Sequence, residues 1–190
     1  MEVKIISQEL IKPSSPTPQH LRTFMLSLLD QLIQFNFVPV IFFYPPNSVS
    51  GPCLDVPQKL DLLKKSLSRT LTQFYPLAGK IQDCLSIDCN DGGARFVEAS
   101  VNMSLTQFLT DPDLISLNKL IPCDEVAAAE FPELTRAANI QVNVFQCGGI
   151  ALAICNTHNL QDGGALGVFL KEWTAAARGD GSSASSTVAA

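Results

Sequence analysis

Residues 150–173 read IALAICNTHNLQDGGALGVFLKEW, and the reading of this stretch decides the fold. Ile150-Ala151-Leu152-Ala153-Ile154-Cys155 is a short apolar run closed off upstream by Gly148-Gly149. A run of that length bounded by glycine predicts a buried strand over 150–155 rather than a helix. The run ends at Asn156-Thr157-His158, and Asn159-Leu160-Gln161-Asp162-Gly163-Gly164 follows as a polar, glycine-marked turn. Leu166, Phe169, Leu170 and Trp173 then recur at i, i+3, i+4, i+7, which predicts an amphipathic helix over 164–177. Strand, tight turn and helix in that order place one imidazole, His158, at the carboxyl end of a strand. Ligands of α/β sheets gather at that end.

His158 is one of two histidines in the chain. Imidazole changes charge near neutral pH, with an ordinary pKa of about 6.5, so His158 is a candidate general base. The competing reading is a histidine that only fills a strand-end turn. Asp162, just ahead of the helix, suits an N-cap: its carboxylate would accept a backbone N–H and complement the positive helix end. Gly163 and Gly164 read as backbone freedom where a strand turns sharply into a helix. Phe169 and Trp173 lie on the apolar stripe and read as core.

Upstream, residues 139–146 alternate Ile140, Val142 and Val144 with Gln141, Asn143 and Phe145, and predict a strand turned back by Cys147-Gly148-Gly149. Val3–Ile11 predicts a further strand, on a sheet edge, followed by a stiff proline-bearing loop over 14–18. Residues 26–31 are apolar with a polar stop and read as core followed by a turn. Residues 38–44 are β-branched and aromatic, with Pro39 near the start, and predict a buried strand. A surface loop rich in Pro, Gly and Ser spans 45–57.

The next helix, 57–74, carries Leu60, Leu63, Leu67, Leu71 and Phe74 as its apolar stripe. Lys64, Lys65, Ser68, Arg69 and Thr72 are expected on its solvated face. Pro76 stops it, and Gly79 eases the turn that follows. Strands at 85–89 and 94–100 are joined by Asn90-Asp91-Gly92-Gly93, a hairpin signal. A short helix capped by Ser104 is expected over 104–109, and irregular chain with short turns over 111–133. Residues 178–190 are Gly, Ser and Ala with almost no large side chains, which predicts disorder. No internal repeat is present.

Composition bounds the function. The chain has 190 residues, 46% of them hydrophobic, enough for one domain with a real core. Its 13 basic and 18 acidic residues leave a net charge of −5, which argues against a nucleic-acid surface. Residues 1–18 lack a basic segment followed by an apolar one, and no apolar run reaches eighteen residues, so neither secretion nor a membrane span is expected. Cys53, Cys84, Cys89, Cys123, Cys147 and Cys155 form no Cys-x-x-Cys pair. They read as reduced, mostly buried thiols of a cytoplasmic protein. His20 and His158 stand far apart without a ligand cluster, so no metal is expected.

Three segments together resemble the plant BAHD acyltransferases. His158-Asn159-Leu160-Gln161-Asp162-Gly163 is similar to that family's His-x-x-x-Asp-Gly signature. Tyr75-Pro76-Leu77-Ala78-Gly79-Lys80 resembles its Tyr-Pro-Leu-Ala-Gly-Arg segment, with Lys80 where Arg is usual. Leu26-Ser27-Leu28-Leu29-Asp30 is similar to a Ser-x-Leu-Asp segment beside the family's active-site channel.

The resemblance covers nearly all of 1–177. It implies one chloramphenicol-acetyltransferase-like half domain of α/β class, with a mixed, mostly antiparallel sheet and packed helices. It further implies His158 as general base, and Asp162 and Gly163 as structural motif residues, with Asp162 pointing away from the substrate. An acyl-CoA, acetyl-CoA within this branch, is the implied co-substrate, and the alcohol of a specialised metabolite such as an alkaloid is the implied acceptor. A second family domain, carrying an Asp-Phe-Gly-Trp-Gly segment, is not found in these 190 residues. The expectation is therefore a catalytic half that self-associates or needs its missing domain. The alternatives are a non-catalytic binding chain of the same descent, a condensation-type enzyme, which usually has a second His where Thr157 stands, and a Cys nucleophile partnered with His158.

Overall fold

The computed structural model describes residues 1–33, 37–46, 55–83, 85–122 and 136–179. The main sheet has five strands: β1 (Val3–Ile11), β3 (Phe37–Tyr44), β6 (Ala94–Val101), β7 (Ala138–Phe145) and β8 (Ile150–Thr157). They lie in the order β1-β6-β7-β8-β3. Only the β6–β7 pair is parallel, and the other three pairings are antiparallel. A second sheet orders β2 (Thr23–Met25), β5 (Ser86–Asp88) and β4 (Lys80–Ile81) as β2-β5-β4. The mixed, largely antiparallel α/β half domain expected from the sequence is the fold found.

Two long helices cover one face of the main sheet. α2 (Val56–Gln73) begins at Asp55, whose carboxylate accepts from Gln58 N–H at 2.8 Å while the Gln58 side chain accepts from Asp55 N–H. Such a capping box satisfies two of the N–H groups left over at a helix start. α5 (Gly163–Arg178) ends on Gly179, which adopts the left-handed conformation with φ 76° that closes helices without a Cβ penalty. Leu67 and Leu71 from α2 and Phe169 and Trp173 from α5 pack on Phe96, Ile140, Leu152 and Ile154 of the sheet. The Trp173 indole N–H donates to Leu63 carbonyl and Ser66 Oγ, so the largest core side chain is satisfied inside the layer and ties α5 to α2.

A smaller apolar cluster on the opposite face joins Val101, Phe145 and Ala151 to Leu105 and Phe108 of α3 (Leu105–Thr110). Ser104 caps α3, as expected, and α4 (Leu114–Asn118) follows.

Several expectations are corrected. The Asn90–Gly93 turn does not make a hairpin: it carries the chain from β5 in the small sheet to β6 in the main one. Asp91 takes φ 56° there, held by Thr17 Oγ1 at 2.6 Å and Arg22 at 3.0 Å. β6 already has β1 and β7 as neighbours, so it offers β5 no free edge. β3 is not buried but lies at the end of the sheet order, with Val38 42% exposed. Residues 26–31 are not core followed by a turn. Leu26 is buried, but α1 (Leu28–Gln31) holds Leu28 and Leu29 outward on a Ser27–Asp30 capping box.

Both faces of β7 are buried, the Gln141 and Asn143 side included. Gln141 donates to Asn143 and to Lys119 carbonyl, and Asn143 donates to Leu120 carbonyl. Residue 178 is the last residue of α5 rather than the start of a tail. The disorder expected over 180–190, the middle of the 45–57 loop, the later part of 111–133, and Cys53, Cys84 and Cys123 lie outside the described residues.

Candidate active site

The turn between β8 and α5 is built from the strand end upward. Thr157 closes β8, and its carbonyl accepts from Leu160 N–H at 3.1 Å and Gln161 N–H at 3.0 Å. His158 therefore rides on a closed loop of backbone rather than a free connection. The residue is half-buried, and its Nδ1 is inaccessible and has no hydrogen-bond partner in the structure. The face left to solvent and ligands is away from Nδ1.

Asp162 follows as the N-cap of α5. Its Oδ1 accepts from Ala165 N–H at 2.7 Å, and its carbonyl accepts from Leu166 N–H. The carboxylate is thus engaged with the helix start. Gly163 lies inside the first turn and does not need glycine's conformational freedom. Only Gly93, Gly148 and Gly179 have positive φ among the described glycines, and a Cβ on Gly163 would meet nothing within 4 Å. In place of the sharp turn expected to need the backbone freedom of Gly163 and Gly164, the structure has an ordinary helix start. The sharp change of direction is made one step earlier, by the 157–161 backbone.

The sequence reading passed over the polar residues around His158. Asn156, Thr157, Asn159 and Gln161 are all buried. Asn156 Nδ2 donates to Gln161 Oε1, and Asn156 Oδ1, Thr157 Oγ1 and Asn159 Oδ1 remain without partners in the structure. Buried polar atoms are nearly always paired, so such a concentration marks a place where stability has not been the only demand. The signal that could have found them is Asn156-Thr157-His158-Asn159, a polar run at the end of an otherwise apolar strand.

Two of the three described thiols, Cys89 and Cys147, stand apart from this site, while Cys155 is buried in β8 three residues before His158. Burial pushes the Cys89 thiol up to about 12, which leaves it un-ionised near neutral pH. Backbone N–H groups of Leu105 and Gly149 lower the Cys147 thiol, but Cys147 sits in the β7–β8 turn. That is the far end of β8 from His158, roughly 25 Å away at the usual rise per strand residue. A cavity of about 310 Å³ also lies at that far end, lined by Leu62, Leu63, Ile150, Leu152, Leu170 and Trp173 among others. Among the described residues no group of three or more His, Cys, Asp or Glu could hold a metal ion. No helix described is long and apolar enough to cross a membrane.

Residues 1–189 match the model described as "Transferase family". Epi-neemfruitin B 7-O-acetyltransferase L7AT of Melia azedarach is 45% identical over 184 residues, which are 93% of this chain and 41% of the relative. Salutaridinol 7-O-acetyltransferase of Papaver somniferum is 38% identical over 190 residues, 97% of this chain and 40% of the relative. The crystal structure of vinorine synthase superposes with a TM-score of 0.82 at 39% identity, covering 94% of this chain and 43% of that one. The chain belongs to the BAHD acyltransferase family of transferases. It spans about two fifths of the length of the curated relatives it matches.

Proposed function

We propose that this chain carries the catalytic-base half of an acyl-CoA-dependent O-acyltransferase, one that transfers an acetyl group to an alcohol of a plant specialised metabolite in the cytoplasm. The observation that carries the reading is the placement of His158: half-buried at the carboxyl end of β8, on a backbone-closed turn, with Nδ1 turned inward. The names of the relatives, O-acetyltransferases of limonoid and alkaloid type, support the choice of reaction and of acetyl group.

In this mechanism His158 Nε2 accepts the hydroxyl proton of the acceptor as its oxygen attacks the thioester carbonyl. The C–S bond of the tetrahedral intermediate then breaks, and the imidazolium returns the proton to the departing CoA thiolate, leaving ester and free CoA. A positioned base of this kind contributes about 10² to 10⁴ in rate. Asp162 has no proton to move in this scheme. Its carboxylate is committed to Ala165 N–H, and its work is to hold α5 and with it the end of the His turn. A second domain would complete the site and bind the acyl-CoA.

The test is a fusion in which residues 1–179 replace the matched N-terminal segment of salutaridinol 7-O-acetyltransferase. CoA-thiol release is followed with acetyl-CoA and salutaridinol. The expected result is acceptor-dependent release that falls at least about tenfold to a hundredfold on His158→Ala. Equal turnover by the His158→Ala fusion would remove His158 from the chemistry. A well-folded fusion without any acceptor-dependent release would favour a non-catalytic binding chain.

A further inference from the structure

We propose that the buried side-chain bridge between Asn156 and Gln161 is the device that positions the His158 imidazole; the inference rests on the reading of His158 as the base. Asn156 belongs to the rigid part of the molecule. Its Cα stands opposite Ala138 of β7 on one side and Val38 of β3 on the other, so its backbone is pinned within the sheet. Gln161 belongs to the other side of the turn, one residue before the Asp162 cap of α5. The Asn156 Nδ2–Gln161 Oε1 hydrogen bond therefore spans the loop that carries His158, parallel to the backbone closure of Leu160 and Gln161 N–H on Thr157 carbonyl.

Two features make this a positioning device rather than filler. First, a catalytic imidazole is ordinarily oriented by an acceptor on its far nitrogen. Here Nδ1 is buried with no hydrogen-bond partner. The loop that bears the ring then helps set its stance, and the bridge is a side-chain contact that spans that loop. Second, both bridge residues are buried, Asn156 at 5% exposure and Gln161 at 9%. Burying two amides is unfavourable unless they are paired, and apolar side chains of similar volume would fill the space without that demand. A polar pair at such a place specifies geometry, in the way single buried polar contacts fix register elsewhere.

The experiment reads the ring directly. The chain has two histidines, so selective ¹⁵N-histidine labelling with His20→Gln leaves His158 alone in the spectrum. In the parent chain the ring nitrogens should report one dominant tautomer. Gln161→Leu should mix the tautomers, and Gln161→Glu, which keeps an acceptor for Asn156 Nδ2, should restore the parent pattern. The paired Asn156→Leu/Gln161→Leu chain leaves no amide stranded and serves as the foldable version of the same deletion.

In the fusion enzyme, Gln161→Leu should lower kcat at least about tenfold with KM within about twofold, since small misplacements of a reacting group cost up to about 10² in rate. Ring nitrogens unchanged in both leucine variants would overturn the proposal and leave the base assignment standing. A disturbed ring with undiminished turnover would support the bridge's hold on His158 while removing the base reading beneath it.

Discussion

Asp162 stabilises the chain through one short hydrogen bond, from Ala165 N–H at 2.7 Å, at the positive end of a sixteen-residue helix. Replacing an N-cap carboxylate by a methyl group costs about 0.5–2 kcal/mol, so Asp162→Ala should lower the stability of the chain by that amount in urea unfolding. Asp162→Asn should lose less, because the amide oxygen still caps and only the charge–dipole part, about 0.3–1 kcal/mol, is forfeited. Loss of fusion turnover without loss of stability would instead assign the carboxylate a direct part in the chemistry.

Gly163 gives the complementary result. Its Cβ space is empty and its φ is ordinary, so Gly163→Ala should raise stability by about 0.4–1 kcal/mol. A fall in fusion activity together with a higher melting temperature would show that the open space above Gly163 is used by a ligand. The two positions were equally legible in the motif, but only one followed from it correctly. A cap depends on a neighbour three residues away. Whether a glycine is required depends on what surrounds it in space.

At the scale of elements, the contact between α2 and the sheet turns on Lys64. The sequence puts Lys64 on a solvated helix face, yet its ammonium bridges Glu9 of β1 and Glu98 of β6 and lies 5.6 Å from the Phe96 ring centroid. Burial by itself would lower its pKa; the hydrogen bonds and charges of Glu9 and Glu98 outweigh that and raise it. A cation whose folded pKa is raised contributes fully below its unfolded pKa, about 10.4, and the contribution disappears as pH climbs through the folded value. Lys64→Met should therefore destabilise the chain at neutral pH by about 1–2 kcal/mol. The difference from the parent should be constant from pH 7 to 9 and shrink only in strong alkali. A difference that instead vanished between pH 7 and 9 would contradict the ion-pair account. Ser68 and Thr72 from the same helix face also bond across, to Lys12 carbonyl and Ser14 Oγ, while Lys65 and Arg69 remain exposed as expected. The spacing marks a polar stripe; it does not say which part of it the first strand lies against.

For the whole molecule, the exposed apolar side chains are the main physical consequence. Leu28, Leu29 and Leu32 of the α1 region are 75–82% exposed, Leu114 and Ile115 of α4 are exposed, and β3 presents Val38 and Tyr44 at the end of the sheet order. Surfaces that meet another domain typically bury about 600–1,500 Å², and apolar patches approaching that size drive association. The 190-residue chain should therefore self-associate in sedimentation velocity at micromolar concentration, and should release little or no CoA from acetyl-CoA by itself. A clean monomer with acceptor-dependent release would mean that this half alone suffices for turnover.

What the sequence determined by itself was local. Helices α2, α3 and α5 and strands β1, β7 and β8 form near where their 3.6- and two-residue spacings put them. The Ser104 and Asp162 caps and the strand–turn–helix around His158 depend on residues only a few positions apart, and such contacts are written directly in order and spacing. Apart from the β7–β8 hairpin, which its Cys147-Gly148-Gly149 turn foretold, the tertiary structure alone decided which strands are neighbours and which polar residues are buried. β1 lies against β6 with Val3 opposite Val101, a pairing across nearly a hundred residues that leaves β5 to another sheet. The same long-range packing puts Gln141 and Asn143 beneath Lys119 and Leu120 and turns the α1 leucines outward. It also gathers Asn156 and Gln161 into a bridge across the histidine turn. Local preference can say that a residue is polar or apolar, but only the competition among distant segments for the same sheet edges and faces settles what each residue touches.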